Sequence, residues 1–157
     1  MPRLLQIIKH PNPQLRKISV EIKDGEIKSD KFQSLILDMI KTMKAKDGIG
    51  LSAPQIGYNI RLITINTQNG VLIMTNPKIT RNSWKKEWFE EGCLSVPGIY
   101  GKVKRHKKLN CIYIDKKGQK KKISAKGLLA FVIQHETDHL DGILFIDKAK
   151  EISEHSI

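Results

Sequence analysis

The residues in this chain best suited to chemistry are His135-Glu136-Thr137-Asp138-His139, an H-E-x-x-H pattern inside a segment that reads as helix. Residues four apart on a helix lie one above the other, so the two imidazoles can grip one metal ion. Glu136, beside the first imidazole, is then placed to exchange a proton with a water made nucleophilic by that ion, which is hydrolase chemistry. A single histidine on an apolar face is ordinarily a packed core residue. Two at this spacing would need two separate polar partners once buried, and one cation satisfies both.

A catalytic site of this kind takes three protein ligands and leaves one position open, so a third ligand is required. The candidates are Cys93, Cys111, His10, His106, His155 and the carboxylates. Cys93 sits in Glu91-Gly92-Cys93-Leu94-Ser95-Val96-Pro97-Gly98, a run expected to turn or bulge and bring its thiol close to something. Cys111 lies in Leu109–Ile114, which alternates like a strand and reads as an ordinary packed thiol. Cys93 is therefore the expected third ligand. A further stretch, Gly48-Ile49-Gly50-Leu51-Ser52-Ala53-Pro54-Gln55, has small residues that admit close backbone approach and an uncharged amide, Gln55, able to donate to a developing oxyanion. The same glycines would equally serve a helix C-cap and loop.

These three segments, in this order, resemble the signature motifs of the peptide deformylase family, and the likeness extends to His10-Pro11, Leu15-Arg16, Val103, Arg105, Asp141-Gly142 and Leu144-Phe145. The resemblance implies a metal held by Cys93, His135 and His139 with water as fourth ligand, and removal of the formyl group from the N-terminal formylmethionine of new polypeptides. It implies Fe(II) as the native ion, with Zn, Ni or Co able to replace it; a Cys/His/His set accepts any of these. It also implies Glu136 as proton carrier, and the Gln55 amide with the Leu94 backbone N–H as oxyanion donors. Gly50 is expected to pair through its backbone with an extended peptide. Ile49, Leu128, Phe131 and Val132 are placed to line an apolar pocket for methionine, although core packing would explain each singly. Glu91 and Arg105 are placed to pair and steady the Cys93 segment, although a surface charge would explain either one. Ser52 stands where alanine is commoner in the family, a change expected to be tolerated.

The elements that must position these groups are legible from periodicity. Leu128, Leu129, Val132, Ile133 and Leu140 recur at helical spacing between Gly127 and Gly142, with both histidines inside the apolar stripe and Gln134, Thr137 and Asp138 outside it. Ser29-Asp30 should cap an N-terminal amphipathic helix carrying Phe32, Leu35, Ile36, Met39, Ile40 and Met43. Strands are expected at 60–65, 71–75, 78–84, 86–90, 103–107, 109–114 and 120–125. The expected class is α+β, with mixed or antiparallel sheets packed around the C-terminal metal-binding helix in a single domain over 1–157.

The chain has 157 residues, enough for one core, and no apolar run long enough for a membrane span. Two cysteines, one assigned to metal, argue against a disulfide framework and for a reducing, cytoplasmic setting. The net charge of +12 is carried partly by Lys104–Lys108 and Lys116–Lys122. Only five of the 28 basic residues are Arg and these clusters lack interleaved aromatics, so no specific DNA binding is expected. A solvated hairpin accounts for the lysines slightly better than a weak, salt-sensitive attraction to ribosomal RNA. Two other readings stand beside the deformylase one. A metallopeptidase would take its third ligand from Asp147, Glu151 or His155, and an RNA-binding module would use the metal only structurally.

Overall fold

Ser29 starts the longest helix as its type predicts: its hydroxyl accepts from the Phe32 backbone N–H at 3.2 Å. In the computed structural model, which describes residues 1–155, a one-turn helix α1 (Asp24–Ile27) leads into this helix, α2 (Asp30–Ala45). Phe32, Leu35, Ile36, Met39 and Met43 are buried along one side, as the spacing requires. That face also holds two polar residues. Thr42 Oγ1 accepts from the Leu5 backbone N–H, and Asp38 accepts from the Arg3 backbone and guanidinium, which binds the N-terminal segment to the helix.

The chain then builds two antiparallel sheets. The larger runs in the order β1 (Gly50–Ser52), β2 (Leu62–Thr67), β3 (Gly70–Asn82), β6 (Lys108–Ile114) and β7 (Lys120–Lys126). The smaller consists of β4 (Lys86–Cys93), β5 (Val96–His106) and β8 (Lys150–Glu154). The strands expected at 71–75 and 78–84 are one strand, β3, with a register shift between Thr75 and Lys78. Asn76 makes this continuity feasible: it takes a left-handed φ of 50°, and its side-chain amide bonds both the Ile22 N–H and C=O. β5 begins seven residues earlier than the expected 103–107, and β8 was not anticipated, because its pairing with β5 is nonlocal.

Helix α3 (Leu128–Leu140) packs against β1, β2, β5 and β7, between the two sheets. One apolar cluster fills the space between α2 and the larger sheet, a second lies between α3 and that sheet, and a third, with Leu15, Val96, Val103, Leu144 and Phe145, sits beneath the smaller sheet. Because α3 is covered on more than one side, Gln134 and Thr137 are buried, contrary to the single-stripe expectation. Both are satisfied internally. Gln134 bonds the His106 N–H and C=O, and the Thr137 hydroxyl donates to the Ile133 carbonyl. No helix among the described residues is long and apolar enough to cross a membrane.

The segment after α3 is fixed by Gly142, whose φ is +73° and where a Cβ would lie 2.4 Å from the Arg16 carbonyl oxygen. The obstructing atom is backbone, so it cannot swing aside. Gly142→Ala is expected to destabilise the protein by about 2 kcal/mol or more. The readout is a lower urea midpoint at unchanged slope; an unchanged midpoint would mean that this crossing is looser than described.

Candidate active site

Three elements deliver the site. Helix α3 carries His135, Glu136 and His139 on adjoining turns, and the tight β4–β5 turn carries Cys93 and Leu94. The register shift between Glu91 and Cys93 confirms the expected bulge. A 3-10 turn, Ala53–Ile56, follows β1 and carries Gln55. The ligand atoms of Cys93, His135 and His139 all lie within 4.8 Å of one another, and Cys93 Sγ is 3.3 Å from His139 Nε2. A tetrahedral ion with ordinary metal–sulfur and metal–nitrogen bonds would hold such a pair roughly 3.5 Å apart, so the set fits one cation.

The imidazoles are prepared for that cation. His135 Nδ1 lies 2.7 Å from Glu91 Oε1, and a carboxylate can only accept, so this nitrogen carries the proton and Nε2 is left to ligate. Glu91 also accepts from Arg105 Nε and Nη2, at 2.7 and 2.9 Å, and Arg105 Nη1 donates to Asp138 at 2.6 Å. The Glu91–Arg105 pair expected from sequence is thus present, and both side chains are only 3% exposed. Burial pushes the Glu91 carboxyl up, but the bonds from Arg105 and His135 outweigh it and hold it at about 2. Burial pulls His139 down, with His135 and Arg105 adding to the effect, so this ring is neutral as a ligand must be. Burial works against charge on His135 as well, but the hydrogen bonds with Cys93 and Glu91 outweigh it and raise this ring, so it favours a second proton that a bound cation would displace.

Glu136 is fully enclosed, and its Oε2 has no hydrogen-bond partner among the described residues. Burial, reinforced by Glu91, pushes its carboxyl up to about 7 against the opposing influence of His135 and Arg105. A cation at the three ligands would pull it back down. Gly50 is glycine because a Cβ there would sit 2.5 Å from Glu136 Oε1. Gln55 is oriented from one end: its Oε1 accepts from the Ser52 backbone N–H and the Ser52 hydroxyl, each at 3.0 Å. Its Nε2 therefore faces Ser95 Oγ at 3.1 Å and Cys93 Sγ at 3.4 Å.

A cleft of about 510 Å³ opens over these groups, and Ile49, Gly50, Leu128, Phe131 and Val132 all line it together with Leu94. Phe131 and Val132 are buried in its wall, whereas Ile49 and Leu128 are each 50% exposed at the rim. Phe89, not singled out from sequence, packs on Phe131 with ring centroids 4.9 Å apart. Ser95 and Asp138 also escaped the sequence reading, because their partners arrive from distant segments. The competing third ligands are engaged elsewhere. Asp147 pairs with Arg16 and Glu151 with Lys102, while the His155 ring meets Ser153 and its backbone N–H bonds the Gly98 carbonyl. Cys111 is a packed thiol, pushed up to about 11 by burial.

Comparison with known proteins agrees with this geometry. Residues 4–155 match the family model described as polypeptide deformylase. A peptide deformylase of Fusobacterium nucleatum is 43% identical over 153 residues, covering 97% of this chain and 87% of that protein. The crystal structure of a peptide deformylase from Synechococcus elongatus in complex with actinonin is 39% identical, with a TM-score of 0.89 over 94% of this chain and 79% of that one. A Met-Ala-Ser-bound class I type b peptide deformylase from Acinetobacter baumannii is 30% identical, with a TM-score of 0.89 over 94% of this chain and 99% of that one. Likeness along nearly the whole sequence, a shared fold, and one thiol converging with two imidazoles therefore lead to a single statement: this chain belongs to the polypeptide deformylase family.

Proposed function

We propose that this chain, acting as one catalytic domain over residues 1–157 in the cytoplasm, removes the N-formyl group from the formylmethionine that begins new polypeptides. The observation that carries this reading is the convergence of Cys93, His135 and His139 beside the unpartnered carboxylate oxygen of Glu136 in an apolar-walled cleft. A divalent ion on the three ligands, Fe(II) natively with Zn, Ni or Co as substitutes, supplies a Lewis acid that makes water nucleophilic near neutral pH. Glu136 accepts the proton as the water oxygen bonds to the formyl carbon. The oxyanion that develops on the formyl oxygen receives hydrogen bonds from Gln55 Nε2 and the Leu94 backbone N–H. Glu136 then returns the proton to the amine as the C–N bond breaks, leaving formate and a free N-terminus.

Binding follows from the cleft. Ile49, Leu128, Phe131 and Val132 take up the methionine side chain, and the Gly50 backbone pairs with the extended peptide. The Acinetobacter baumannii relative bound to Met-Ala-Ser supports a peptide of this kind as the ligand. The lysines of the β6–β7 hairpin, none of which forms an ion pair among the described residues, would suit a weak, salt-sensitive attraction to ribosomal RNA, near which the substrates are made.

The direct test is formate release from formyl-Met-Ala-Ser by anaerobically purified protein, with bound metal measured in the same sample. Glu136→Ala is expected to keep its metal and lose about 10²–10⁴ in kcat, whereas Cys93→Ala is expected to lose the metal. Deformylation by Glu136→Ala at the unaltered rate would refute its role. Gln55→Ala should cost about 10²–10³ in kcat. Ser52→Ala, which removes one of two bonds that aim Gln55 and keeps the backbone one, should cost no more than about threefold in kcat, with KM and metal content unchanged. In a Gln55→Ala background the Ser52 change should have no additional effect; an additive loss would show that the hydroxyl does not act through Gln55.

A further inference from the structure

We propose that the corner where the chain passes twice between its sheets is a docking site for RNA bearing an unpaired base, with Trp84 as the stacking platform and Arg81, Lys107, Lys108 and Lys126 as phosphate partners. This deepens the RNA attraction set out above and rests on it. The corner consists of residues 83–85, between β3 and β4, lying against Lys107, between β5 and β6.

Trp84 is 93% exposed, yet the turn that presents it is tightly held. The Ser83 N–H donates to the Lys108 carbonyl at 2.8 Å, the Lys108 N–H to Ser83 Oγ at 3.1 Å, and the Lys107 N–H to the Lys85 carbonyl at 3.1 Å. Ser83 Oγ donates to the Lys85 carbonyl, and His106 Nδ1 lies 2.7 Å from the Ser83 carbonyl oxygen. A large aromatic surface is thus displayed from a rigid support, where stacking would cost little ordering entropy. Trp88 makes the contrast: Lys104 and Lys150 stand over its ring at 5.8 and 5.7 Å, and no such cover is present on Trp84 among the described residues.

The stretches that meet at this corner are basic, with Glu87 the acidic residue next along the chain from Trp84. Neither 76–86 nor 102–114 contains an Asp or Glu. Lys108 pairs with Lys126 across β6 and β7, and Arg81 with Asn110 across β3 and β6, so the fold assembles cations from three segments. None of the four forms an ion pair among the described residues. Beside the corner is an open depression of about 410 Å³ lined by Arg81, Lys108 and Lys126 with Asn82, Asn110 and Ser124, and no carboxylate lines it. A bare aromatic ring on the turn next to a depression lined by unpaired cations fits bases and phosphates in succession. A lipid surface would call for several apolar side chains at the corner, and Trp84 is flanked by Ser83 and Lys85. Lys86 to Glu91 spans roughly 17 Å of extended strand, so bound RNA would sit beside the cleft without filling it.

The test uses the full, metal-loaded chain and fluorescence anisotropy with a labelled RNA hairpin carrying an unpaired loop, against a blunt RNA duplex, over a salt series. Tighter binding to the looped hairpin is expected, with a log–log salt slope of roughly −3 for four phosphate contacts. Trp84→Ala should weaken hairpin binding about tenfold and leave the slope and duplex binding unchanged. Arg81→Gln with Lys108→Gln should weaken both RNAs and flatten the slope by about 1.4. Both variants should deformylate formyl-Met-Ala-Ser at the unaltered rate. Hairpin affinity unchanged by Trp84→Ala, equal binding of hairpin and duplex, or stronger binding to anionic vesicles would overturn the site. Failure of the unaltered protein to bind either RNA at low salt would overturn the RNA attraction as well, while deformylation remains a separate readout.

Discussion

The cleft depends on one buried carboxylate. Glu91 accepts a hydrogen bond from His135 Nδ1 and two from the Arg105 guanidinium, and Arg105 reaches on to Asp138 of α3. This ties the β4 segment preceding Cys93 to the helix that carries the histidines, which no apolar contact could do with the same directionality. Taking such charges out of water is costly unless every one is met, and here Glu91 has three donors and Arg105 two carboxylates. Removing one member would leave its partners buried and uncompensated. The arrangement also sets which nitrogen of His135 is free, so the same bonds that steady the turn prepare the ligand.

Around that anchor, close approach is made feasible by what is absent. Gly50 has no Cβ, so β1 passes directly beside Glu136, and the strand edge proposed to pair with peptide lies next to the proposed proton carrier. The Gln55 amide is held from its oxygen end by Ser52, which leaves its nitrogen directed toward the sulfur and Ser95. In the proposed reaction a donor fixed beforehand would need no reorganisation as charge develops, so contacts this small would bear on rate.

What the sequence disclosed follows from the range of each interaction. His135, Glu136 and His139 were legible because a helix places i and i+4 together wherever it sits, and Ser29 because a cap is a three-residue event. Cys93 was legible because glycine and proline mark turns. The burial of Gln134 and Thr137 was misread, because periodicity reports one apolar face and α3 is enclosed by two sheets. The continuity of β3 through Pro77 was missed because the side-chain amide of Asn76 is satisfied by Ile22, 54 residues away. Ser95, Asp138 and β8 likewise depend on partners remote in sequence. Trp84 lay outside the lysine clusters in the sequence, and only the paired sheet crossings bring it to Lys107 and Lys108.

One thiolate and two imidazoles converge on a site for one cation, and X-ray absorption at the metal edge of the purified protein reads out that set of ligands. The expected first shell has one sulfur scatterer at about 2.3 Å and two imidazole nitrogens at about 2.0–2.1 Å. A first shell of nitrogen and oxygen alone, with no sulfur, would contradict it.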